Sequence, residues 1–421
     1  MAQTASERIQ RLAFGGLRRQ ALTRSSALRP LDSDTDHTFV LVEQKPNVIV
    51  YRDHLLPSSE TFIRAQGEGL QRFQSFYVGL RSENSNGLAL PADRTYVLNS
   101  GGPLGYCREY MLKFGALPSV LNKKVCAVSP TLIHAHFGRD ASHILPLVRA
   151  KQLPFFVTFH GWDATADSKT ISETPSGRRY LRRRNEIGKK ATRIIAVSRF
   201  IADCLEEQGF PKDKIVVHYI GVNTKEFSPD PAIERKDAVL FVARLVEKKG
   251  CEFLIRAMKQ VQSAVPNAEL VVIGDGPLRE ELTEMAQKSL TKFSFLGTQS
   301  VSEVRAWMNR ARVFCVPSII ARSGDAEGFG MVFIEAQAVG TPVVSFASGG
   351  VPEAVAHGAS GFLAPERDWR QLAKFIIELL QNGTLWNRLS AAARERTQQS
   401  FDLHHQCGLL EELYTSAINS K

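Results

Sequence analysis

Val313-Phe314-Cys315-Val316-Pro317 and, after a polar loop, Glu327-Gly328-Phe329-Gly330-Met331-Val332-Phe333-Ile334-Glu335 carry the architecture of this chain in one stretch. The first run is short, continuous and apolar, as a strand buried on both faces must be. Residues 318–326 form the loop, and the pattern starts a helix near Gly330 that continues to Val339. A strand feeding a helix through a glycine-rich loop is the repeating unit of a parallel, doubly wound sheet.

The alternation extends in both directions. Upstream lie strands at 238–243, 269–273 and 293–296 and helices at 250–265, 278–288 and 301–311; downstream lies a strand at 342–346. It breaks over residues 221–237, where Ser228-Pro229-Asp230-Pro231 and Glu234-Arg235-Lys236-Asp237 read as loop and charged bridge. Before the break, strands are expected at 48–51, 76–80, 132–136, 155–159 and 193–197, with a helix at 60–71. The fold class is therefore α/β, with two Rossmann-like doubly wound domains facing across a cleft. Residues 39–222 form the first, 223–237 the linker and 238–395 the second; a helix over 396–421 is expected to pack back on the first. Residues 1–38 hold six arginines in their first thirty positions against one acid, Glu7, and read as a disordered leader.

Size and composition narrow the function. The 421 residues are 43% hydrophobic and 23% charged, with no apolar run of eighteen and no secretory pattern at the start, so a cytoplasmic chain is expected. The six cysteines are scattered and mostly flanked by apolar residues, which suits buried thiols in a reducing compartment. A net charge of +10 favours anionic partners. The densest basic run is Arg178-Arg179-Tyr180-Leu181-Arg182-Arg183-Arg184 with Lys189-Lys190. It is either a solvated helix face or a contact for acidic headgroups or a lipid-diphosphate acceptor. Nucleic acid is not expected, since no binding module accompanies the run.

The two glutamates of the opening stretch are seven residues apart, one on the loop and one a turn inside the helix. Glycines allow backbone N–H groups to approach a ligand, and a helix amino terminus attracts anions. A phosphate is expected over Phe329, Gly330 and Met331, with Glu335 accepting two ribose hydroxyls and Glu327 gripping a sugar beyond the phosphates. A first-turn acid favoured by the helix dipole would explain Glu335 alone, but not the glycines or Glu327.

These residues resemble the E-x7-E element of the family 4 glycosyltransferases, which have the GT-B fold. The resemblance runs from about Val48 to the C-terminus. Arg244-Leu245-Val246-Glu247-Lys248-Lys249 is similar to the family's Arg-x4-Lys segment, implying that Arg244 and Lys249 hold the donor diphosphate; two fixed cations opposite a helix terminus could do so without metal. Lys248 is expected to be solvated. By the same resemblance Leu296-Gly297-Thr298 cradles the base, His160 of Thr158-Phe159-His160-Gly161-Trp162-Asp163 reaches the transferred sugar, and Ser198 and Asp163 face the cleft. Gly274-Asp275-Gly276 reads as a tight turn beside it, since Arg279 stands where a dinucleotide fingerprint needs glycine. Residues 57–62 replace a glycine-rich loop with an S-E-T-F form similar to bacterial exopolysaccharide transferases, where Ser59 either caps a helix or touches a ligand. His134-Ala135-His136 points two imidazoles to one face, which permits a metal cluster, but the resemblance implies none.

The expected activity is retaining, metal-independent hexosyl transfer, catalysed with His160, Glu327 and Lys249. The donor is a UDP- or GDP-type nucleotide-sugar, used as substrate rather than cofactor. The acceptor is a glycan or lipid-linked molecule of surface polysaccharide biosynthesis, met at the inner face of the cytoplasmic membrane. Alternatives are another GT-B activity (an epimerase or a phosphorylase) or a non-catalytic nucleotide-sugar binder.

Overall fold

A computed structural model describes residues 45–57, 60–82 and 89–420; the expected leader and Ser59 fall outside them. The first sheet has seven strands: β1 (Asn47–Tyr51), β2 (Gln74–Gly79), β3 (Thr95–Val97), β4 (Leu132–His136), β5 (Phe155–Phe159), β6 (Arg193–Ala196) and β7 (Ile215–Val217). Their order is β3-β2-β1-β4-β5-β6-β7, and every pairing is parallel. The second has six: β8 (Lys236–Val242), β9 (Glu269–Ile273), β10 (Phe293–Phe295), β11 (Ala311–Cys315), β12 (Val343–Phe346) and β13 (Gly361–Ala364), ordered β10-β9-β8-β11-β12-β13 and again all parallel. Each sheet changes winding direction beside its own first strand. That switch point leaves a crevice at the carboxyl ends of the strands, where ligands of such folds bind.

The runs form strands because helices cover both faces. Every residue of β4 and of β5 is buried, and each large apolar side chain so covered contributes roughly 2 kcal/mol. The helices include α1 (Thr61–Gly69), α2 (Gly102–Phe114), α3 (Gly138–Lys151), α4 (Pro175–Lys190), α5 (Arg199–Glu207), α6 (Cys251–Ala264), α7 (Met331–Ala338), α8 (Gly383–Ser400) and α9 (Leu403–Asn419).

Residue 396 lies inside α8, not at a helix start. The break comes at Asp402, whose carboxylate accepts the N–H groups of His404 and His405 and so begins α9. The chain thereby recrosses to the first sheet. Leu410 and Tyr414 share one apolar cluster with Val48, Val50, Leu132 and Phe156, and Glu411 accepts the Arg72 N–H at 2.6 Å. Helix α1 ends at Gly69, two residues short of expectation, and Cys407 lies against that glycine. The cysteines depart from the expected burial: Cys251, Cys315 and Cys407 are buried, but Cys107 and Cys126 are exposed, and all six are free thiols.

Candidate functional site

Strand β8 turns sharply at its carboxyl end. Gly250 (φ +61°) closes that turn, and a Cβ there would meet the Pro317 carbonyl oxygen at 2.0 Å, so only glycine lets it lie against the loop after β11. Lys249 consequently reaches across to form an ion pair with the Glu327 carboxylate, which Ser318 Oγ also approaches at 3.5 Å. Burial works to raise the Glu327 carboxyl, but Lys249 and Lys248 outweigh it and hold the group below the usual carboxylate range. Lys248 is not solvated as expected. Its carbonyl accepts Ile319 N–H at 2.9 Å, which fixes the turn, and its ammonium meets Asp325 at 2.9 Å with 16% of the side chain exposed.

Arg244 is exposed on the same turn, its carbonyl bonded to Val246 N–H. Gly274 and Gly276 let the turn after β9 approach this loop: Cβ atoms there would stand 2.0 Å from Ala243 O and 2.5 Å from Leu245 O. The next strand end joins the row, Gly274 N–H donating to Gly297 O at 2.8 Å. The Leu296 carbonyl accepts the Gln299 amide at 2.6 Å, while Thr298 is exposed. Helix α7 starts at Met331, preceded by Gly330 (φ +87°) and without a side-chain cap, so its amino end keeps anion-attracting N–H groups. The Phe329 ring is buried against Tyr219 and Phe401; only its backbone is open to a ligand role. Glu335 lies at the fifth position of α7 and is partly exposed, and burial together with Glu226 pushes its carboxyl up to about 7.

In the first half, His160 follows β5. Its Nε2 lies 3.0 Å from His136 Nδ1, its ring packs on Phe137 and Phe62, and its buried Nδ1 has no protein partner among the described residues. Burial, then Arg52, lower it to about 3, so the ring is neutral at physiological pH. Asp163 does not open to the cleft: it is 1% exposed and accepts Gly138 N–H at 2.6 Å and Gly161 N–H at 3.3 Å, which pins the His160 loop. Burial pushes its carboxyl up to about 6 against those bonds. The pair His134 and His136 is engaged internally. His134 bonds Tyr414 and Thr158, and among the described residues no group of three or more metal-ligating side chains is placed to hold an ion.

Residues 223–396 match the family model described as glycosyl transferases group 1, and residues 60–226 match glycosyltransferase family 4. The amylovoran biosynthesis glycosyltransferase AmsK of Erwinia amylovora is 30% identical over 294 residues, 68% of this chain and 70% of that one. The chain belongs to glycosyltransferase family 4. A GDP-mannose-dependent α-(1-6)-phosphatidylinositol monomannoside mannosyltransferase of Mycobacterium tuberculosis is 34% identical over 188 residues, 42% of this chain and about half (49%) of its own. Among solved structures, Anabaena HepE in complex with UDP and glucose superimposes with a TM-score of 0.70 at 20% identity, over 88% of this chain and 99% of that one. Such a likeness shows the GT-B fold.

The glycosyltransferase also has ties between its halves that its sequence gave little sign of. Ser198 caps α5 through Ile201 N–H, and its hydroxyl donates to the Gly328 carbonyl at 2.6 Å. Glu353 accepts the N–H groups of Arg199 and Phe200 and the Tyr219 hydroxyl. Ala326 N–H donates to Thr165 Oγ1 at 3.1 Å, bringing the Glu327 loop against the His160 loop. The basic run lies on α4 and is only partly solvated. Arg179 lies 5.0 Å over the Phe114 ring, Arg183 donates to Ser142 O at 2.8 Å and Arg184 bonds Gln208; Arg178, Arg182, Lys189 and Lys190 stay exposed. A cavity of about 220 Å³ beside Thr165, Asp167 and Cys204 holds none of the residues expected to bind donor.

Proposed function

We propose that this glycosyltransferase moves a hexose, with retention and without a divalent cation, from a UDP- or GDP-sugar to a glycan or lipid-linked acceptor of a surface polysaccharide or glycolipid. The observation that carries the reading is the meeting of Lys249, Glu327 and the uncapped start of α7 at one sheet edge, with His160 across from them. The names of AmsK and of the mycobacterial mannosyltransferase support the substrate class, and the UDP bound by HepE supports the donor.

In this reading the diphosphate lies on Arg244, Lys249 and the N–H groups around Gly330, and the base lies near Leu296 and Thr298. Donor binding draws Lys249 from Glu327 and frees that carboxylate for sugar hydroxyls. Neutral His160 hydrogen-bonds the sugar from the other side. The acceptor oxygen attacks the anomeric carbon on the face that the diphosphate leaves. The carbon–oxygen bond to phosphate breaks, and the departing phosphate oxygen takes the acceptor's proton. The protein's part is positioning and stabilising leaving-group charge. Product analysis with labelled donor is the test, run with and without EDTA and with the anomeric configuration read by NMR. A retained glycoside unaffected by EDTA is expected; epimerised donor, a sugar phosphate, or binding without turnover would each overturn the proposal.

Glu335 gives a pH prediction. Accepting two ribose hydroxyls needs the carboxylate, and the group holds its proton up to about pH 7 in the free protein. Donor affinity should rise between pH 6 and 8, with proton release visible by calorimetry in buffers of different ionisation enthalpy. Glu335→Gln should flatten that profile and weaken binding about tenfold or more, given the ~1.5–3 kcal/mol of hydrogen bonds to a charged group. Stability of the free protein runs the other way. An unfolded glutamate ionises near about 4.3, so between there and 7 the folded state binds more protons and stability falls as pH rises.

A further inference from the structure

We infer that the outer face of α2 is a docking surface for an anionic lipid bilayer. Leu104, Tyr106, Tyr110, Met111 and Phe114 are 62%, 48%, 56%, 40% and 70% exposed, and all five stand on this one helix. Elsewhere among the described residues, large exposed hydrophobics are Val217, Val301, Ile320 and Leu409, scattered over both halves. Isolated exposed side chains need no explanation, but five on thirteen residues of one helix do. The spacing of 104, 111 and 114, with 106 and 110 beside them, makes a continuous strip, and the Tyr110 and Phe114 rings lie 6.2 Å apart. The buried side of α2, through Leu112, faces the core.

The charge around the strip selects the occupant. From Leu98 to Pro130 the only acidic residue is Glu109, against Arg108, Lys113, Lys123 and Lys124. Glu109 is 2% exposed and takes Arg81 at 2.8 Å and Lys113 at 2.6 Å; burial opposes its charge, but these partners prevail and bring the carboxyl to about 2. No negative charge therefore faces outward from α2. Lys123 and Lys124 are exposed on the following helix, and Arg178 and Arg182 on α4, which adjoins the strip where Arg179 covers Phe114. Exposed aromatic and aliphatic side chains on a surface helix, with Arg179 against Phe114 and further cations exposed on the following helix and on α4, suit the headgroup zone, where rings enter the interface and cations meet anionic phosphates. A protein partner would need matching acids at the rim; a bilayer rich in phosphatidylglycerol supplies them everywhere.

The placement suits the reaction. Strand β3 is parallel to β2, and the chain leaves its carboxyl end through Leu98 and Asn99, bonded to Gly79 and Leu80, before α2 begins at Gly102. The Leu104 end of the helix thus lies at the sheet edge that carries His160. A bilayer on α2 would bring a lipid-linked acceptor to that edge. The inference deepens the proposed acceptor class, but vesicle binding needs neither donor nor acceptor, so docking and transfer can fail separately.

Flotation of the full chain with phosphatidylglycerol/phosphatidylcholine vesicles, at low and high salt, tests it. Wild type should bind these vesicles, bind pure phosphatidylcholine at least tenfold more weakly, and lose part of its binding in salt. The double variant Leu104→Ser/Phe114→Ser should lose tenfold or more at every salt concentration while keeping its circular dichroism and melting temperature. Lys123→Glu/Lys124→Glu should lose binding at low salt only. Vesicle binding unchanged in the double variant, or absent in wild type, would overturn the assignment. So would a wild-type dimer that the serine variant dissociates, since the strip would then serve self-association.

Discussion

Gly328→Ala should reduce sugar transfer by about a hundredfold or more while leaving nucleotide affinity within a few-fold of wild type. A Cβ at Gly328 would stand 2.1 Å from the His160 carbonyl oxygen, 2.9 Å from its carbonyl carbon and 3.2 Å from Gly161 Cα. All three are backbone, so no flexible side chain can yield. The collision lies between the two halves, where Ser198 donates to the Gly328 carbonyl and Thr165 takes Ala326 N–H. The methyl must push the His160 loop away from the Glu327 loop, and displacement of reacting groups by about 1 Å can cost about a hundredfold in rate. The proposed diphosphate groups, Arg244, Lys249 and the start of α7, all belong to the second half and keep their geometry. Single-turnover transfer and calorimetric titration with UDP and GDP read the two effects separately. Gly408→Ala is the control, since a Cβ there has nothing within 4 Å. Near-normal transfer by Gly328→Ala would show that the two loops need not meet during catalysis.

That contact also marks how far the sequence could be read. Largely apolar runs located β1, β4, β5 and β11 because burial on both faces leaves a strand few polar positions to alternate with, and the polar ones that remain, His134, His136 and Thr158, are themselves buried. The same rule overlooks β3, Thr95-Tyr96-Val97, whose three residues are only partly buried, and β7, which lies at the far edge of the sheet. The glycines of residues 327–335 announced a close backbone approach but not its partner, which is the His160 carbonyl 168 positions earlier for Gly328 and the ring of Phe333 for Gly330. Lys248 read as solvated because its neighbour in sequence, Lys249, accounted for the motif. Its ion pair with Asp325 depends on a turn closed by Gly250 against Pro317, a contact that spacing does not encode. Asp163 read as a cleft residue because the H-G-x-D pattern puts it near His160; the structure turns its carboxylate back onto Gly138 and Gly161 amides. The basic run gave no hint that the more unusual surface is α2, since exposed aromatics are visible only once the core has claimed the others.

Lys249→Ala should lower the turnover number about a hundred- to a thousandfold, the usual consequence of removing one group that stabilises developing charge. The side chain has a structural duty as well, since it neutralises Glu327, which is 8% exposed. Its loss leaves a mostly buried carboxylate with only Lys248 and Ser318 to oppose desolvation. Breaking such a pair costs up to about 3 kcal/mol, the lower end for fully buried pairs because both side chains keep some exposure. The pH dependence separates the two duties. Glu327 is held below its unfolded value, so the pair's contribution is complete above about pH 4.3 and is lost as pH falls through the lowered folded value. The melting-temperature deficit of Lys249→Ala should therefore be largest near neutrality and shrink in acid. Adding Glu327→Gln to Lys249→Ala removes the stranded charge and should restore most of the lost stability, yet transfer should stay low because the diphosphate still lacks its cation and the sugar has lost its carboxylate. Were the double variant to recover transfer along with stability, Lys249 would be a structural counter-ion and the diphosphate would have to be held by Arg244 and the α7 amides alone.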